Sequence, residues 1–262
     1  MVRYLRLYAY FVRFSFSRAM EFRVDFFFRI FMDCLFYAVQ FAFFGVLYRH
    51  TTLLGGWNQE QVWVFLGGVF VTDAVIMTVF ANNTWWFPLF VNRGDLDYYL
   101  VRPVSSLFFL NTRDFAANSF FNLVIALGLL IWALLRYPEP LAAGSVVLYL
   151  FLLGSGILLV HAFHLCFLIP VFWIQSTRGL DEMYWVTQHL MERPDRIYRG
   201  WLHRILVSIV PLALVISYPT SVLFGAPPLR VALHVFGATA LFWLFTWRFW
   251  RWGIRNYASA SS

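Results

Sequence analysis

Ionisable residues inside apolar runs are the first candidates for chemistry, because a charge removed from water is costly unless it is paired or used. Glu21, Asp25, Arg29 and Asp33 recur every fourth residue. That spacing sets them along one slowly drifting helix face, where Asp25 with Arg29 and Arg29 with Asp33 can pair. A structural ion-pair stripe at a membrane boundary is expected, in preference to a substrate contact. Asp73 differs: Val69, Phe70, Val71, Val75, Ile76 and Met77 surround it and no basic residue lies within a turn. It is expected to point into a helix bundle toward an Arg or His of another span, either as interhelical glue or as part of a polar pathway. His161 and His164 lie three apart on one helix face, a spacing that could offer two imidazoles to a metal. No acidic or thiol ligand is spaced to complete the site, so polar contacts within the bundle are preferred. The same reading applies to Asn111, Asn118 and Asn122 along a later apolar run.

Residue type excludes several chemistries. All 20 basic residues are Arg. A chain without Lys has no Walker A loop and no Schiff-base lysine. There is no Ser nucleophile motif, no phosphate-binding glycine loop and no acidic-His motif at a membrane boundary. Cys34 and Cys166 stand far apart in apolar runs and are expected to be buried small hydrophobes. No catalytic residue, metal or cofactor is therefore expected in this chain, and any nucleotide energy must come from another protein.

The elements that must carry these residues follow from composition. Of 262 residues, 61% are apolar and 13% charged, whereas soluble domains run about half apolar and a quarter charged. The chain is expected to be an all-α polytopic membrane protein of one domain. Residues 1–25, with Arg3, Arg6 and Arg13 against Tyr4, Leu7, Tyr8 and Phe11, have the pattern of an interfacial helix. Spans are expected at residues 26–48, 61–81, 107–135, 141–174, 201–218 and 229–252, followed by a tail at 253–262. The first span should remain as an uncleaved anchor. Pro211, Pro219, Gly225, Pro227 and Pro228 break the fifth span, and residues 219–228 are expected to re-enter the outer leaflet. Trp57, Trp85, Trp86, Trp201, Trp247, Trp250 and Trp252 fall near span ends and suit interfacial anchoring better than stacking on a sugar.

Arginine position orients the bundle. With the N-terminus inside, six Arg fall in residues 1–29, three in 93–113, five in 178–204 and three in 248–255, leaving Arg49, Arg136 and Arg230 outside. The positive-inside rule then favours N-in and C-in, with the polar segments 82–106 and 175–200 in the cytoplasm. The basic excess thus belongs to topology, and no nucleic-acid partner is expected.

Residues 92–106, NRGDLDYYLVRPVSS, carry the most information. Gly94 permits a tight turn, Asp95 can cap a short helix, Pro103 must end it, and Ser105 or Ser106 can cap the next element. A short element held between spans suits docking of a soluble partner; an ordinary solvated loop is the alternative. The run from Gly94 to Pro103, between the second and third of six spans, resembles the permease subunits of ABC type-2 exporters. It is closest to a branch with paired permeases and a separate ATPase. The breaks at Pro211 and Tyr218-Pro219, Arg193-Pro194, Ile197-Tyr198 and the ending Gly253-Ile254-Arg255-Asn256-Tyr257 agree.

The resemblance implies a permease subunit of an ATP-driven exporter in the bacterial cytoplasmic membrane. Its partners would be membrane lipid, an ABC ATPase homodimer that binds ATP and Mg, and a second permease chain, as a heterodimer in preference to a homodimer. Gly94, Asp95, Leu96, Asp97, Arg102 and Pro103 map onto the loop that couples to the ATPase, with the N-terminal helix and residues 180–198 flanking it. A membrane-embedded lipid-modifying enzyme and a non-transporting assembly factor are the competing readings. The cargo, whether lipid, drug, peptide or polysaccharide, is not encoded in any diagnostic residue.

Overall fold

Residues 1–44 contain neither Gly nor Pro, yet two helices form there. The computed structural model describes residues 2–19, 23–174, 176 and 178–257, and among these every regular element is helical. Helix α1 (Val2–Ala19) exposes Arg3, Arg6 and Arg13 and sets Tyr4, Phe11 and Phe16 edge-on against Phe108, Phe109 and Phe120. Its exposed arginines and packed aromatics make it amphipathic, as its sequence suggests. Helix α2 (Arg23–Tyr48) leaves Phe28, Phe31, Leu35, Val39 and Phe43 exposed, as a lipid-facing span does.

Helix α3 (Gln59–Val75) starts in a capping box, in which the Asn58 side chain accepts from the Gln61 amide and the Gln61 side chain from the Asn58 amide. It continues through a π-turn (Ile76–Ala81) into α4 (Asn82–Asn92). This 34-residue run is about 50 Å long, well beyond a hydrocarbon core of roughly 30 Å. The polar segment expected from residue 82 is therefore helical for its first eleven residues. After α5 (Asp97–Leu100) come α6 (Ser106–Thr112) and α7 (Ala117–Arg136), so the third span is not the continuous helix its composition suggests. The break at residues 113–116 is held by hydrogen bonds from its backbone to the long helix. Ala116 N–H donates to Thr78 O at 2.8 Å, Asn83 Nδ2 donates to Asp114 O at 2.9 Å, and Asp114 N–H donates to Asn83 Oδ1 at 2.9 Å.

Helix α8 (Ala143–Leu168), extended by a 3-10 turn (Ile169–Phe172), and the last helix, Pro228–Asn256, run parallel. Ser155 Oγ donates to Thr239 Oγ1 at 2.9 Å, Thr246 Oγ1 donates to Ala162 O at 3.2 Å, and Phe172 packs on Trp250. The chain between them must return across the membrane once. Helix α9 (Arg178–Gln188), with 3-10 turns at His189–Glu192 and Asp195–Ile197, makes that return. It starts beside His164, near the inner end of α8, and finishes with Arg196 and Ile197 against Gly55 in the loop between α2 and α3. Helices α10 (Trp201–Ser208) and α11 (Ser217–Leu223) then bend by 63° about the break at residues 209–211 and the 3-10 turn Leu212–Leu214. Val215 meets Gly156 midway along α8, and Phe224 meets Trp57 and Tyr137 at the loop end. This hairpin enters and leaves on one side, and α12 (Pro228–Asn256) follows.

The expected fifth span at 201–218 and the expected cytoplasmic segment 175–200 are thereby corrected. The crossing is α9, and the re-entrant piece is α10 with α11. Composition hides α9 because Asp181, Glu182, Gln188, His189 and Glu192 make it too polar to register as a span. Arg193, Arg196, Arg199 and Arg204 move to the opposite end, leaving thirteen Arg at the end holding α1 and α5 and seven at the other. The bias still makes the α1 end the inner one.

Two of the spans are pillars. In the most apolar 18-residue stretch of Gln59–Asn92 72% of the residues are buried and in that of Ala143–Phe172 61%, against 11% for Ile30–Tyr48. Helices α3 and α7 close to backbone distance because Gly67 faces Leu130, where a Cβ would lie 2.8 Å from the Leu130 Cα. Trp57 and Trp250 belong to the packed interior, so they are not the interfacial anchors their positions suggest; Trp85, Trp86, Trp201, Trp247 and Trp252 are exposed. Cys34 and Cys166 form no disulfide and are half-buried.

Candidate functional site

The inner ends of α4, α8 and α12 pass beyond the level at which α7 begins and form a head with its own apolar core. Phe87, Val91, Leu96, Leu110, Leu168 and Trp250 make up much of that core. Gly94 adopts φ +77°, which a residue with a side chain rarely takes, and this turn brings the chain back under the head. Leu96 is fully buried there. Leu96 is also the N-cap of α5 and no side chain caps that helix, so Asp95 is not the cap its position suggests. Asp97 occupies the first turn and is half-buried.

Tyr98 and Val101 project instead, 70% and 83% exposed, with Arg102 and Pro103 exposed beside them. Arg102 Nε donates to Tyr98 O at 3.3 Å, and its guanidinium lies 5.0 Å from the centre of the Phe109 ring. Behind this surface, Arg113 donates to the Tyr99 hydroxyl and stacks 4.5 Å from Phe90. Ser105 caps α6 by accepting from Phe108 N–H at 3.4 Å, and its own N–H donates to the Tyr4 hydroxyl at 3.2 Å. A groove of about 720 Å³ between α1 and this segment is lined by Arg3, Arg6, Tyr10, Arg102, Pro103 and Phe109. Of the six loop residues singled out by sequence, Arg102 and Pro103 are presented, Gly94 and Leu96 hold the shape from inside, and Asp95 and Asp97 lie between.

A second polar grouping sits within the bundle. Asn122 of α7 donates to Asp33 of α2, joining two spans. Glu21 lies outside the described residues, as do the side chains of Asp25, Arg29 and Asn118. Asp73 has Asp33 and Glu192 within electrostatic reach, and Tyr37 and Tyr184 lie near it. No Arg or His pairs with Asp73 among the described residues, contrary to expectation. His164 Nε2 lies 3.0 Å from Asp181 Oδ1, and its ring stacks on Tyr184 at 3.7 Å. His161 stacks on Phe80 at 3.8 Å, and its Nε2 has no partner. The two imidazoles therefore serve different neighbours. Among the described residues no group of three or more His, Cys, Asp or Glu could hold a metal ion. Asn111 Nδ2 donates to Leu107 O in its own helix, so it does not bridge helices.

Asp181, Tyr184, Gln188 and Glu192, which sequence reasoning missed, all belong to α9 and its 3-10 extension. Its signal was a period of 3.6: Tyr184, Gln188 and Met191 face inward, while Arg178, Glu182, Val186, His189 and Arg193 form one exposed stripe.

A family model described as an ABC-2 family transporter protein matches residues 34–261. No curated protein and no solved structure matches the chain.

Proposed function

From the premise that this chain belongs to the ABC-2 transporter family, and so is a membrane permease component of an ABC transporter, we propose that it forms half of an export path and couples to separate ATPase subunits through α5. The observation that carries the reading is the inner head. An apolar core beyond the membrane level serves no lipid contact, yet it holds Tyr98 and Val101 outermost on a short helix pinned from behind by Leu96. An apolar and aromatic surface of this kind suits a groove on a soluble protein. The absence of Lys fits a motor on another chain.

The path runs along α9. Lipid does not tolerate a span whose exposed stripe carries Arg178, Glu182, His189 and Arg193, so that stripe faces water or a second permease. Closure of the ATPase pair moves the head, and the pillars α3–α4 and α8 transmit the motion to α9 and to the α10–α11 hairpin at the outer exit. The complex resides in the bacterial cytoplasmic membrane, and cargo moves outward.

Co-purification with the co-expressed ATPase tests the docking surface. Charge reversal at Asp97 or Arg102, and Val101→Asp, should leave the chain in the membrane while ATP hydrolysis no longer drives transport. Unchanged transport in all three variants overturns the assigned role of α5.

A further inference from the structure

The groove of about 720 Å³ between α1 and the docking segment carries charge of one sign only. Arg3, Arg6, Leu7 and Tyr10 recur at helical spacing and turn one face of α1 into it. Arg102, Pro103 and Val104 form the facing wall together with Phe109 of α6. Among the described residues no Asp or Glu lines the groove, and no carboxylate pairs with Arg3, Arg6 or Arg102. Arg102 donates to Tyr98 O through Nε, and among the described residues its terminal nitrogens have no acceptor. Three guanidiniums turned on one space repel one another unless an anion lies between them. Phosphate suits that place, because a guanidinium binds two of its oxygens at once.

The rest of the lining decides which phosphate. Leu7, Tyr10, Pro103, Val104 and Phe109 are apolar or aromatic, and a free phosphate would leave them unused. Followed along α1, the groove leads from its arginines to Phe16, which packs on Phe115 and on Phe120 in the first turn of α7. Phe120 belongs to the span-length apolar run Ser119–Arg136. Tyr10 lies only about 9 Å from Phe16 along the helix. The charged end of the groove is thus farther from the hydrocarbon and the aromatic end nearer, which is the polarity of a lipid in the inner leaflet. We propose that the groove binds one anionic glycerophospholipid of that leaflet. Arg3, Arg6 and Arg102 hold its phosphate, and one acyl chain passes Tyr10 and Phe109 toward the start of α7. The bound lipid ties α1 to the segment that carries α5. Every group involved belongs to this chain, so the site does not depend on what α5 docks.

The test is native mass spectrometry of the full chain, purified without ATPase, with phosphatidylglycerol and phosphatidylcholine of identical acyl chains as probes. The wild-type chain should retain one phosphatidylglycerol per copy, with a preference over phosphatidylcholine of roughly fivefold or more, the factor that one arginine contributes at an anionic membrane surface. Arg3→Gln combined with Arg6→Gln should abolish the preference. Tyr10→Asp, which sets a negative charge in the groove at a position 62% exposed, should do the same. Arg251→Gln removes an exposed arginine from the inner end of α12, outside the groove, and should keep the preference. Glycerol phosphate, which has the phosphate without the acyl chains, should not displace the lipid at equal concentration. Equal retention of the two lipids by the wild type, a preference undiminished in both groove variants, an equal loss in Arg251→Gln, or displacement by glycerol phosphate overturns the proposal. So does a result in which the arginine variants lose only co-purification with the ATPase, which would give the groove to an acidic face of that partner.

Discussion

At the scale of single residues, the polar atoms inside the bundle divide by whether they have a partner. Asn122 and Asp33 join α7 to α2, and interhelical hydrogen bonds in membranes average about 0.6 kcal/mol, with a ceiling near 1.7. Asn122→Ala should therefore lower the thermal stability of the purified protein by about 1 kcal/mol. In a double-mutant cycle with Asp33→Asn the two losses should be less than additive. Asp73 has acidic neighbours within electrostatic reach in Asp33 and Glu192, an environment that favours a pathway role over interhelical glue. Asp73→Asn should leave stability unchanged or slightly raised while altering transport, measured as cargo export against melting temperature. A loss of stability equal to that of Asn122→Ala would return Asp73 to a structural role. The sequence made Asp73 conspicuous by isolating it among apolar neighbours, but the missing partner is a fact of packing that spacing along one helix does not contain.

At the scale of elements, contact distance decides what substitution does. Gly156 sits where any Cβ would collide with the Val215 backbone, which has no flexible end to move aside. Gly156→Ala should cost about 1–3 kcal/mol by overpacking and push the α10–α11 hairpin off α8; thermal unfolding together with protease cleavage near residue 210 would show it. Within the docking segment, Leu96→Ala should destabilise the head by about 2–5 kcal/mol as a buried leucine truncation does. Val101→Asp should cost less than about 0.5 kcal/mol as a surface change and still abolish coupling. Most elements were legible before the structure. Apolar length gave α2, α8 and α12, the Arg and aromatic spacing gave α1, and Gly94 with Pro103 bracketed α5. Helix α9 was not legible by the same test, because Asp181 is met by His164 and Glu192 by His189, and hydropathy counts residues without seeing their partners. The break between α6 and α7 was hidden for a related reason. Its backbone groups are satisfied by Thr78 and Asn83 on another helix, which no signal within residues 107–135 announces.

At the scale of the whole molecule, the position of α9 is a statement about sidedness that can be measured directly. With Cys34 and Cys166 replaced by Ala, Arg196→Cys and Arg199→Cys should react with a membrane-impermeant maleimide added outside intact cells. Arg102→Cys should react only after the membrane is opened. The reverse pattern at Arg196 would restore residues 175–200 to the cytoplasm. The arginine bias keeps its sign after the correction, thirteen against seven in favour of the α1 end. The π-turn at Ile76–Ala81 carries one further consequence. A π-turn is geometrically a helix with one residue too many, and one residue is worth about 100° of rotation and 1.5 Å of advance. The bearing of α4, and with it the direction in which Tyr98 and Val101 point, is thus set by arithmetic at the inner end of the span as much as by any contact at the head. Deleting a single residue from this turn would leave every side chain of α5 intact and aim it the wrong way.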